Sequence, residues 1–370
     1  MKTRPLGKTG LNTSLIGMGG FHLVETAQDE VNFLLNSYLD VGGNYIETAA
    51  DYGDGLSEKK IGIAVSHRRK EYILASKCFQ RSADAAEKSI DRSLKNLQTD
   101  HLDILFLHGV QKKSEVEKIL LPGGAMEAVH RARKQGKIRF IAISGHGQPD
   151  ALMLAINQYP FDVLMTGFNY FDRFNFPATE NELLIECQLH QIGLIGMKAL
   201  ADGFLYRSVE PAVRYALSLP ISTLVLGINR KDYLKTDLEI IDRFQPMREK
   251  DKEALFDNAP ELGSYVCRLC NKCDDIDSIN PTEIFLIEGE FDRQMSDGNV
   301  PEPADFALIE RLKHWFDQKD QAIKKYQRLK EQVDINKNYR YLNKKCPYHI
   351  DIDRKLKLVH SKLTQNGYIF

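Results

Sequence analysis

Long apolar runs are missing from this chain, and so is any imbalance of charge. No stretch reaches the ~18 apolar residues that a membrane-spanning helix needs, and no apolar leader opens the chain. A cytoplasmic protein with no membrane partner is therefore expected. Lys and Arg total 50 against 51 Asp and Glu, so a polyelectrolyte partner such as nucleic acid is not expected either. Cysteine is scarce, at six in 370 residues. In a long chain of this character that favours metal or redox use over a disulfide framework. No G-x-G-x-x-G follows the first strand-like run, which argues against a doubly wound dinucleotide fold. There is no low-complexity tract and no repeat beyond an alternation of strand-like and helix-like segments.

That alternation is what the chain does have. A hairpin over residues 3–13, with turns at Gly7 and Gly10, precedes a strand from Ser14 to Met18. Further strands are read at 45–48, 72–77, 102–107, 138–143, 162–167, 193–198 and 222–227. Helices are read near 27–40, 57–65, 83–97, 124–134, 149–157, 178–190, 210–218 and 230–241. The strands are nearly continuous apolar runs, as in sheets covered on both faces. Thr26 and Asp29 suggest a capping box, and Gly136 and Gly193 suggest helix C-termini. Eight strands alternating with helices close most simply into a (β/α)8 TIM barrel, over residues 1–245. The charged, proline-marked stretch at 244–260 starts a second, mostly helical domain, taken as 256–370. There, Phe306, Ile309, Leu312, Trp315, Phe316, Ile323, Tyr326 and Leu329 read as a core-facing stripe, and 337–345 as a solvated loop.

The chemistry gathers at strand ends. The stretch N-Y-I-E-T-A-A-D-Y-G (44–53) ends a strand at Glu47 and delivers Tyr52 in the next loop. The runs I-L-A-S-K-C and I-L-F-L-H-G deliver Lys77 and His108. Carboxyl ends of parallel strands are where such folds keep their chemistry. A tyrosine is a weak acid, with a pKa near ~10, and a nearby ammonium favours its anion and lowers that value. Tyr52 is thus the candidate general acid and Lys77 its tuner. Glu47 is the partner of the lysine, and His108 a donor that orients a carbonyl oxygen or shares in proton transfer. Asp51 reads as a loop residue with no role.

This constellation resembles the aldo-keto reductases, whose pattern is D-T-A-x-x-Y-G, then a strand-end lysine, then a strand-end histidine. The resemblance covers roughly residues 3–240, with Glu47 standing where the family has aspartate. It implies interconversion of a small-molecule carbonyl and alcohol, with NADP or NAD lying across the barrel mouth. For the cofactor it points to Gly20 and Phe21 in a close-approach loop, Ser144 near the nicotinamide amide, and Asn169. Met165 and Met197 stand where the family has a glutamine and a stacking aromatic. Lys198, Gly227, Asn229, Arg230 and Lys231 complete the set. The last two could meet a phosphate at a helix start, where the dipole favours anions. The family's K-S-x-x-x-x-R phosphate signature is absent.

In the tail, Cys267-x-x-Cys270-x-x-Cys273 is followed far downstream by Cys346-Pro347. Zinc sites usually use two separated C-x-x-C pairs. This spacing fits an iron–sulfur cluster better, although zinc and an unmetallated relic stay open. The tail resembles the two-cluster ferredoxin module appended to some aldo-keto reductases, in which the fourth cysteine of each motif ligates the other cluster. That resemblance implies one complete [4Fe–4S] site, from Cys267, Cys270, Cys273 and Cys346, and one lost site. Asp277, Asn336, Tyr339 and Leu342 stand where its cysteines would be. Cys78 and Cys187 read as inert core thiols. Two other readings are a nucleotide-sensing binding protein of the same barrel, and a relay passing electrons from nicotinamide to an external carrier.

Overall fold

The computed structural model describes residues 1–274, 279–296, 303–313 and 318–364. The chain divides into two compact units. The first is Met1–Phe168, Ala178–Ala199 and Val213–Pro246; the second is Asn169–Pro177, Leu200–Ala212 and Met247–Phe370.

In the first unit β1 (Thr3–Pro5) pairs antiparallel with β2 (Asn12–Ser14). Gly7 and Gly10 take the positive φ of 51° and 76° that the tight return between them needs. Eight parallel strands follow: β3 (Ile16–Gly19), β4 (Tyr45–Glu47), β5 (Ile73–Cys78), β6 (Leu102–Leu107), β7 (Ile138–Ser144), β8 (Val163–Gly167), β9 (Gly193–Met197) and β10 (Thr223–Leu226). They run in chain order, and β10 pairs back onto β3 to close the barrel. The interior is filled by Tyr45, Ala75, Phe106, Met165, Ile195 and Val225, with Leu6 of the hairpin joining the same cluster. The outer helices are α1 (Gln28–Asp40), α2 (Leu56–Val65), α3 (Ala83–Leu97), α4 (Lys113–Leu120), α5 (Ala125–Lys134), α6 (Asp150–Gln158), α7 (Leu184–Leu189), α8 (Val209–Leu217) and α9 (Lys231–Asp242). In α3 the buried positions Ala83, Ala86, Ile90, Leu94 and Leu97 recur at helical spacing and form one face.

Several local expectations change. Ser14 belongs to the hairpin, because its hydroxyl is spent on the Ile16 carbonyl (2.8 Å) and the Tyr38 hydroxyl (2.8 Å). Thr26 does not cap α1: its hydroxyl donates to the His22 carbonyl, and Ala27 occupies the N-cap with no side-chain acceptor. Gly136 does follow a helix at positive φ, but Gly193 is the first residue of β9. A Cβ there would come within 2.8 Å of the Leu6 side chain, so the glycine makes room for the hairpin plug. The helix α4 was not expected; it sits in the long connection after β6, where Glu115 accepts from the backbone of Gln111 and Lys112.

The second unit contains α10 (Glu249–Asn258), α11 (Pro281–Asp292), α12 (Pro303–Lys313), α13 (Lys319–Gln327), α14 (Arg340–Asn343) and α15 (Ile352–Thr364). Its core joins Ile284 and Phe285 of α11 to Tyr326, Leu342, Leu356 and Val359. Asn280 caps α11 by accepting from the Glu283 amide at 3.0 Å, and Pro281 opens the helix. Of the expected stripe, Ile309, Leu312 and Tyr326 are buried, and Ile323 and Leu329 partly so. Trp315 and Phe316 lie outside the described residues, as does the Phe306 side chain. Residues 337–345 are not a plain solvated loop, since α14 forms there and buries Leu342, with Tyr339 just before it.

Charge is also buried in this unit. Glu288, fully buried, sits between Lys362 (2.6 Å) and Lys355 (3.3 Å), and Lys362 also meets Asp292 at 2.7 Å. Arg293 clamps Asp172 and Asp202 at 2.8 and 2.9 Å. Among the described residues of the whole chain, no helix is long and apolar enough to cross a membrane.

Candidate active site

Register puts the reactive side chains at one end of the barrel. Glu47 is the last residue of β4 and pairs with Gly19 on one side and Ala75 on the other. Beyond it the chain stays tied to β5, with Thr48 donating to the Ala75 carbonyl and Ala50 to that of Lys77. Tyr52 then closes a turn onto Ala49 (3.1 Å), and Gly53, Asp54 and Gly55, all at positive φ, lead into α2. His108 follows β6 directly; its amide donates to the Cys78 carbonyl at 2.9 Å, and Arg81 donates to its carbonyl at 2.8 Å.

Lys77 is the hub. Its buried ammonium contacts the Glu47 carboxylate, donates to the Thr48 carbonyl at 3.0 Å, and reaches the Tyr52 hydroxyl at 3.2 Å. Burial pulls this ammonium well below the ordinary lysine range. The Glu47 carboxylate, also buried, opposes that loss of charge. His108 stands edge-on to Tyr52, with ring centroids 5.8 Å apart, and its Nδ1 is 3.3 Å from Asp51 Oδ2. Phe21 packs edge-on to Tyr52 (5.1 Å) and Phe79 edge-on to His108 (6.2 Å); each is about half exposed, at 51% and 50%. The result is a small polar cluster with two aromatic walls. The expected downward shift of Tyr52 does not win: burial raises its pKa well above the usual range, and the Asp51 charge adds to that. Burial also lowers His108, against the opposing hydrogen bond to Asp51.

Ser144 and Met197 end β7 and β9, while Met165 lies in the middle of β8; Ser144 pairs with Met165 and Gly167 with Met197. Lys198 follows at φ 57°. Ser144 Oγ accepts from the Gly109 amide at 3.3 Å, which links it to the loop after His108. Gly20 is held by Ser57, which donates to its carbonyl at 2.7 Å, and a Cβ on Gly20 would strike Ser57 and Thr48. Phe21 begins the turn after it. Gly227 packs against the His22 ring, and Asn229 leads into α9. The basic pair at that helix start is engaged elsewhere: Arg230 grips Asp232 with two bonds of 2.9 Å, and Lys231 lies 3.7 Å from Glu30 and over the Phe33 ring. Asn169 falls in the second unit, where its amide donates to Asp172 Oδ2 (2.9 Å) and accepts from the Asp172 amide.

In the tail, Cys267 and Cys273 are buried, Cys346 is half-buried in the same core, and Cys270 is exposed. Leu269 and Asn271, both at positive φ, coil the loop that carries the first three. Burial raises Cys267, and the charges of Cys270 and Cys346 add to it while Lys355 opposes. Burial pushes Cys273 to about 12, with Cys267, Asp274, Cys346 and Cys270 contributing. Cys267, Cys273 and Cys346 pack in one core. Among the described residues, no group of three or more His, Cys, Asp or Glu stands in metal-holding geometry. Cys78 and Cys187 are buried, and burial raises both, Cys187 to about 12.

Residues 15–220 match the sequence profile of the aldo/keto reductase family. The chain belongs to that family. L-galactose dehydrogenase of Arabidopsis thaliana is 31% identical over 227 residues, which are 57% of this chain and 69% of that protein. The oxidoreductase YqkF of Bacillus subtilis, itself uncharacterized, is 28% identical over 217 residues, 55% of this chain and 67% of that one. Among solved structures, the aldo-keto reductase AKR11C1 of Bacillus halodurans in its holo form shares the fold, with a TM-score of 0.60 and 23% identity over 68% of this chain and 94% of that chain. As a member of the family the chain is an NAD(P)-dependent oxidoreductase.

Two neighbours of the site escaped the sequence reading. Asp51 was set aside as a loop residue, although a carboxylate directly before Tyr52 is a signal in itself. Phe79 lies two residues after Lys77, just past the end of β5.

Proposed function

We propose that the chain interconverts a small-molecule carbonyl and its alcohol by hydride transfer with NADP or NAD. The observation that carries this is the meeting of Tyr52, Lys77, Glu47 and His108 at one end of the barrel, with Tyr52 Oη 3.2 Å from Lys77 Nζ. Tyr52 is the general acid towards the substrate oxygen. Its raised pKa keeps it protonated across the working range, so it enters the reaction as a donor. Lys77 steadies the phenolic oxygen as charge develops on it, and Glu47 holds Lys77. Phe21 and Phe79 exclude water from the reacting carbon.

Of Ser144, Met165 and Met197, the first two are buried and Met197 is half-buried, so Met197 is the side chain that would meet the nicotinamide ring. When bound, the nicotinamide would supply or take the hydride. Arg230 and Lys231, both exposed, would hold a 2′-phosphate only after leaving Asp232 and Glu30. The test is oxidation of NADPH or NADH on adding simple aldehydes, alongside direct measurement of nucleotide binding. Binding without turnover of any aldehyde or alcohol would favour a nucleotide-sensing protein and overturn the enzymatic reading.

For the tail, the reading is one [4Fe–4S] cluster held by Cys267, Cys270, Cys273 and Cys346. Its support is the three-cysteine loop at 267–273 and the packing of Cys267, Cys273 and Cys346 in one core, although the thiols do not stand in metal-holding geometry among the described residues. Further support comes from Tyr339 and Leu342. They occupy two of the cysteine positions of the second motif and fill the core fully, while Asn336 is exposed and Asp277 lies outside the described residues. Such a cluster would carry single electrons and tie residue 346 to residue 267. Anaerobically purified protein is expected to hold about four iron atoms per chain. Cys346→Ser should lose iron as severely as Cys270→Ser, whereas Cys78→Ser should not. Stoichiometric zinc without iron would sink the cluster, and iron retained in Cys346→Ser would sink the crossed ligation.

A further inference from the structure

Two of the segments that leave barrel strands belong to the second unit. Asn169–Pro177 begins two residues after β8 ends at Gly167, and Leu200–Ala212 begins three residues after β9 ends at Met197. β8 and β9 run parallel to β4, β5 and β6, so both segments leave the barrel at the end where Tyr52, Lys77 and His108 stand. In such barrels the connections at that end are what vary to suit different substrates.

Arg293 joins the two segments. One terminal nitrogen donates to Asp172 Oδ2 (2.8 Å) and the other to Asp202 Oδ2 (2.9 Å). The arginine side chain is 2% exposed and each aspartate 12%. Two carboxylates so enclosed repel unless a cation stands between them. A guanidinium offers N–H groups in two fixed directions, where an ammonium is a single point of charge. Asp172 is tied into its own segment, its amide donating to Asn169 Oδ1 (2.7 Å) and Asn169 Nδ2 donating back to Oδ2 (2.9 Å). Asp202 stands at φ 59° between Ala201 and Gly203, both also at positive φ. Phe171 and Phe204, one from each segment, pack with ring centroids 4.5 Å apart.

The backbone supports the same arrangement. Arg293 ends α11 at φ 63°, its amide donating to the Gly289 carbonyl at 2.9 Å, and Gln294 follows at φ 53°. Two adjacent non-glycine residues in this region are uncommon. Gln294 Nε2 donates to the Phe174 carbonyl (3.1 Å) and to Asn175 Oδ1 (3.3 Å). A Cβ on Gly289 would come within 2.9 Å of Asn175 Oδ1, so α11 packs directly on the segment after β8.

We propose that Arg293 is a positioning residue for the reaction: it fixes the segments after β8 and β9 against each other and thereby sets which carbonyl compounds are accepted. This rests on the carbonyl–alcohol reading above. Arg293 touches no reacting atom in this role, so its loss should weaken substrate binding and spare the proton transfer at Tyr52.

Arg293→Met removes the fork and keeps an unbranched side chain. KM for small aldehydes should rise roughly tenfold or more, while kcat falls less than about threefold. The order of preference within a series of aldehydes of increasing size should change as well. Arg293→Lys restores the charge without the fork and should recover part of the loss in KM. Glu288→Ala is the stability control, since it weakens the same unit and leaves the clamp in place. Its KM and order of preference should match those of the unmodified chain. An equal rise in KM in Glu288→Ala would mean that lost stability is the cause, and would overturn the proposal. Unchanged KM in Arg293→Met would overturn it too. Should Arg293→Met not fold, Asp202→Asn releases the segment after β9 alone; a raised KM there supports the proposal and an unchanged one overturns it.

Hydrogen exchange reads the clamp without turnover. Residues 169–177 and 200–208 should lose protection together in Arg293→Met and keep it in Glu288→Ala. Protection kept in either segment of Arg293→Met would overturn the coupling whatever the activity. Joint loss in a chain that turns over no aldehyde or alcohol would reject the carbonyl–alcohol reading and leave the clamp standing.

Discussion

Both units bury ion pairs, yet the pairs differ in what surrounds them. At the barrel end, the Lys77 ammonium touches Glu47 but also faces a tyrosine hydroxyl, beside a histidine and two half-exposed rings. In the second unit, Glu288 is enclosed by Lys355, Lys362 and the Tyr265 hydroxyl, and Lys355 also donates to Gln294 at 2.7 Å. Desolvation is costly in both places. In the first the buried pair borders a tyrosine hydroxyl, a histidine and two half-exposed rings, where proton transfer is proposed. In the second every identified partner is the protein itself, so the ions hold helices in place. A tyrosine hydroxyl meets the buried ions in both places, Tyr52 at Lys77 and Tyr265 at Glu288, so the histidine and the half-exposed rings beside Tyr52 are what set the barrel end apart.

The largest effect expected from breaking this comparison is on rate. Tyr52→Phe removes the phenolic proton beside Lys77 and leaves the buried Lys77–Glu47 pair intact. Carbonyl reduction should fall about 10²–10⁴-fold, with nucleotide affinity and stability nearly unchanged. Steady-state kinetics and nucleotide titration check it. Turnover near that of the unmodified chain would take Tyr52 out of the mechanism.

Next in size is the enclosed network. Glu288→Ala leaves Lys355 buried without its carboxylate, although Lys362 keeps Asp292. Breaking such a pair costs about 3–5 kcal/mol, readable in a urea denaturation midpoint. A loss below about 1 kcal/mol would mean that the network relaxes or hydrates, and it would then be no lock. pH sharpens the test. Burial alone would raise Glu288, but Lys362 and Lys355 outweigh it and hold its pKa below the usual range. Its contribution is thus present above the unfolded value of ~4.3 and is lost as pH falls through the depressed folded value. Glu288→Ala should flatten that acid-side loss.

The same contrast explains what could be read in advance. Glu47, Tyr52, Lys77 and His108 each sit at or just past a strand end, so local pattern and barrel topology together place them. The enclosed network draws on Tyr265, Glu288, Asp292, Gln294, Lys355 and Lys362, whose contacts cross up to 97 residues of chain. No periodicity links such residues. Asp51 was missed for a related reason: its partner lies 57 residues away, and only the barrel brings the two together. Tyr339 and Leu342 were missed because the charged residues around them dominate the local pattern, while burial is decided by helices far along the chain.

The smallest effect concerns a place where sequence pattern and geometry part. Two helices looked alike at their starts, each with a polar residue a few positions ahead of an acidic one. At α11 the cap is real, with Asn280 accepting from the Glu283 amide. At α1 Thr26 is turned away to the His22 carbonyl, and the N-cap is Ala27, at φ −60° and ψ 147°. That backbone is already extended, as an N-cap requires, and Ala27 is exposed, so a hydroxyl there meets no steric bar. Asp29 and Glu30 already place negative charge in the first turn, so serine is preferable to aspartate. Ala27→Ser should therefore stabilise the chain by about 0.5–1 kcal/mol, and Asn280→Ala should destabilise it by a similar or slightly larger amount. Matched denaturation curves of the two variants would show shifts of opposite sign. If Ala27→Ser moved the midpoint down, the α1 amides would already have partners, and Thr26 would be the better candidate for what holds that turn.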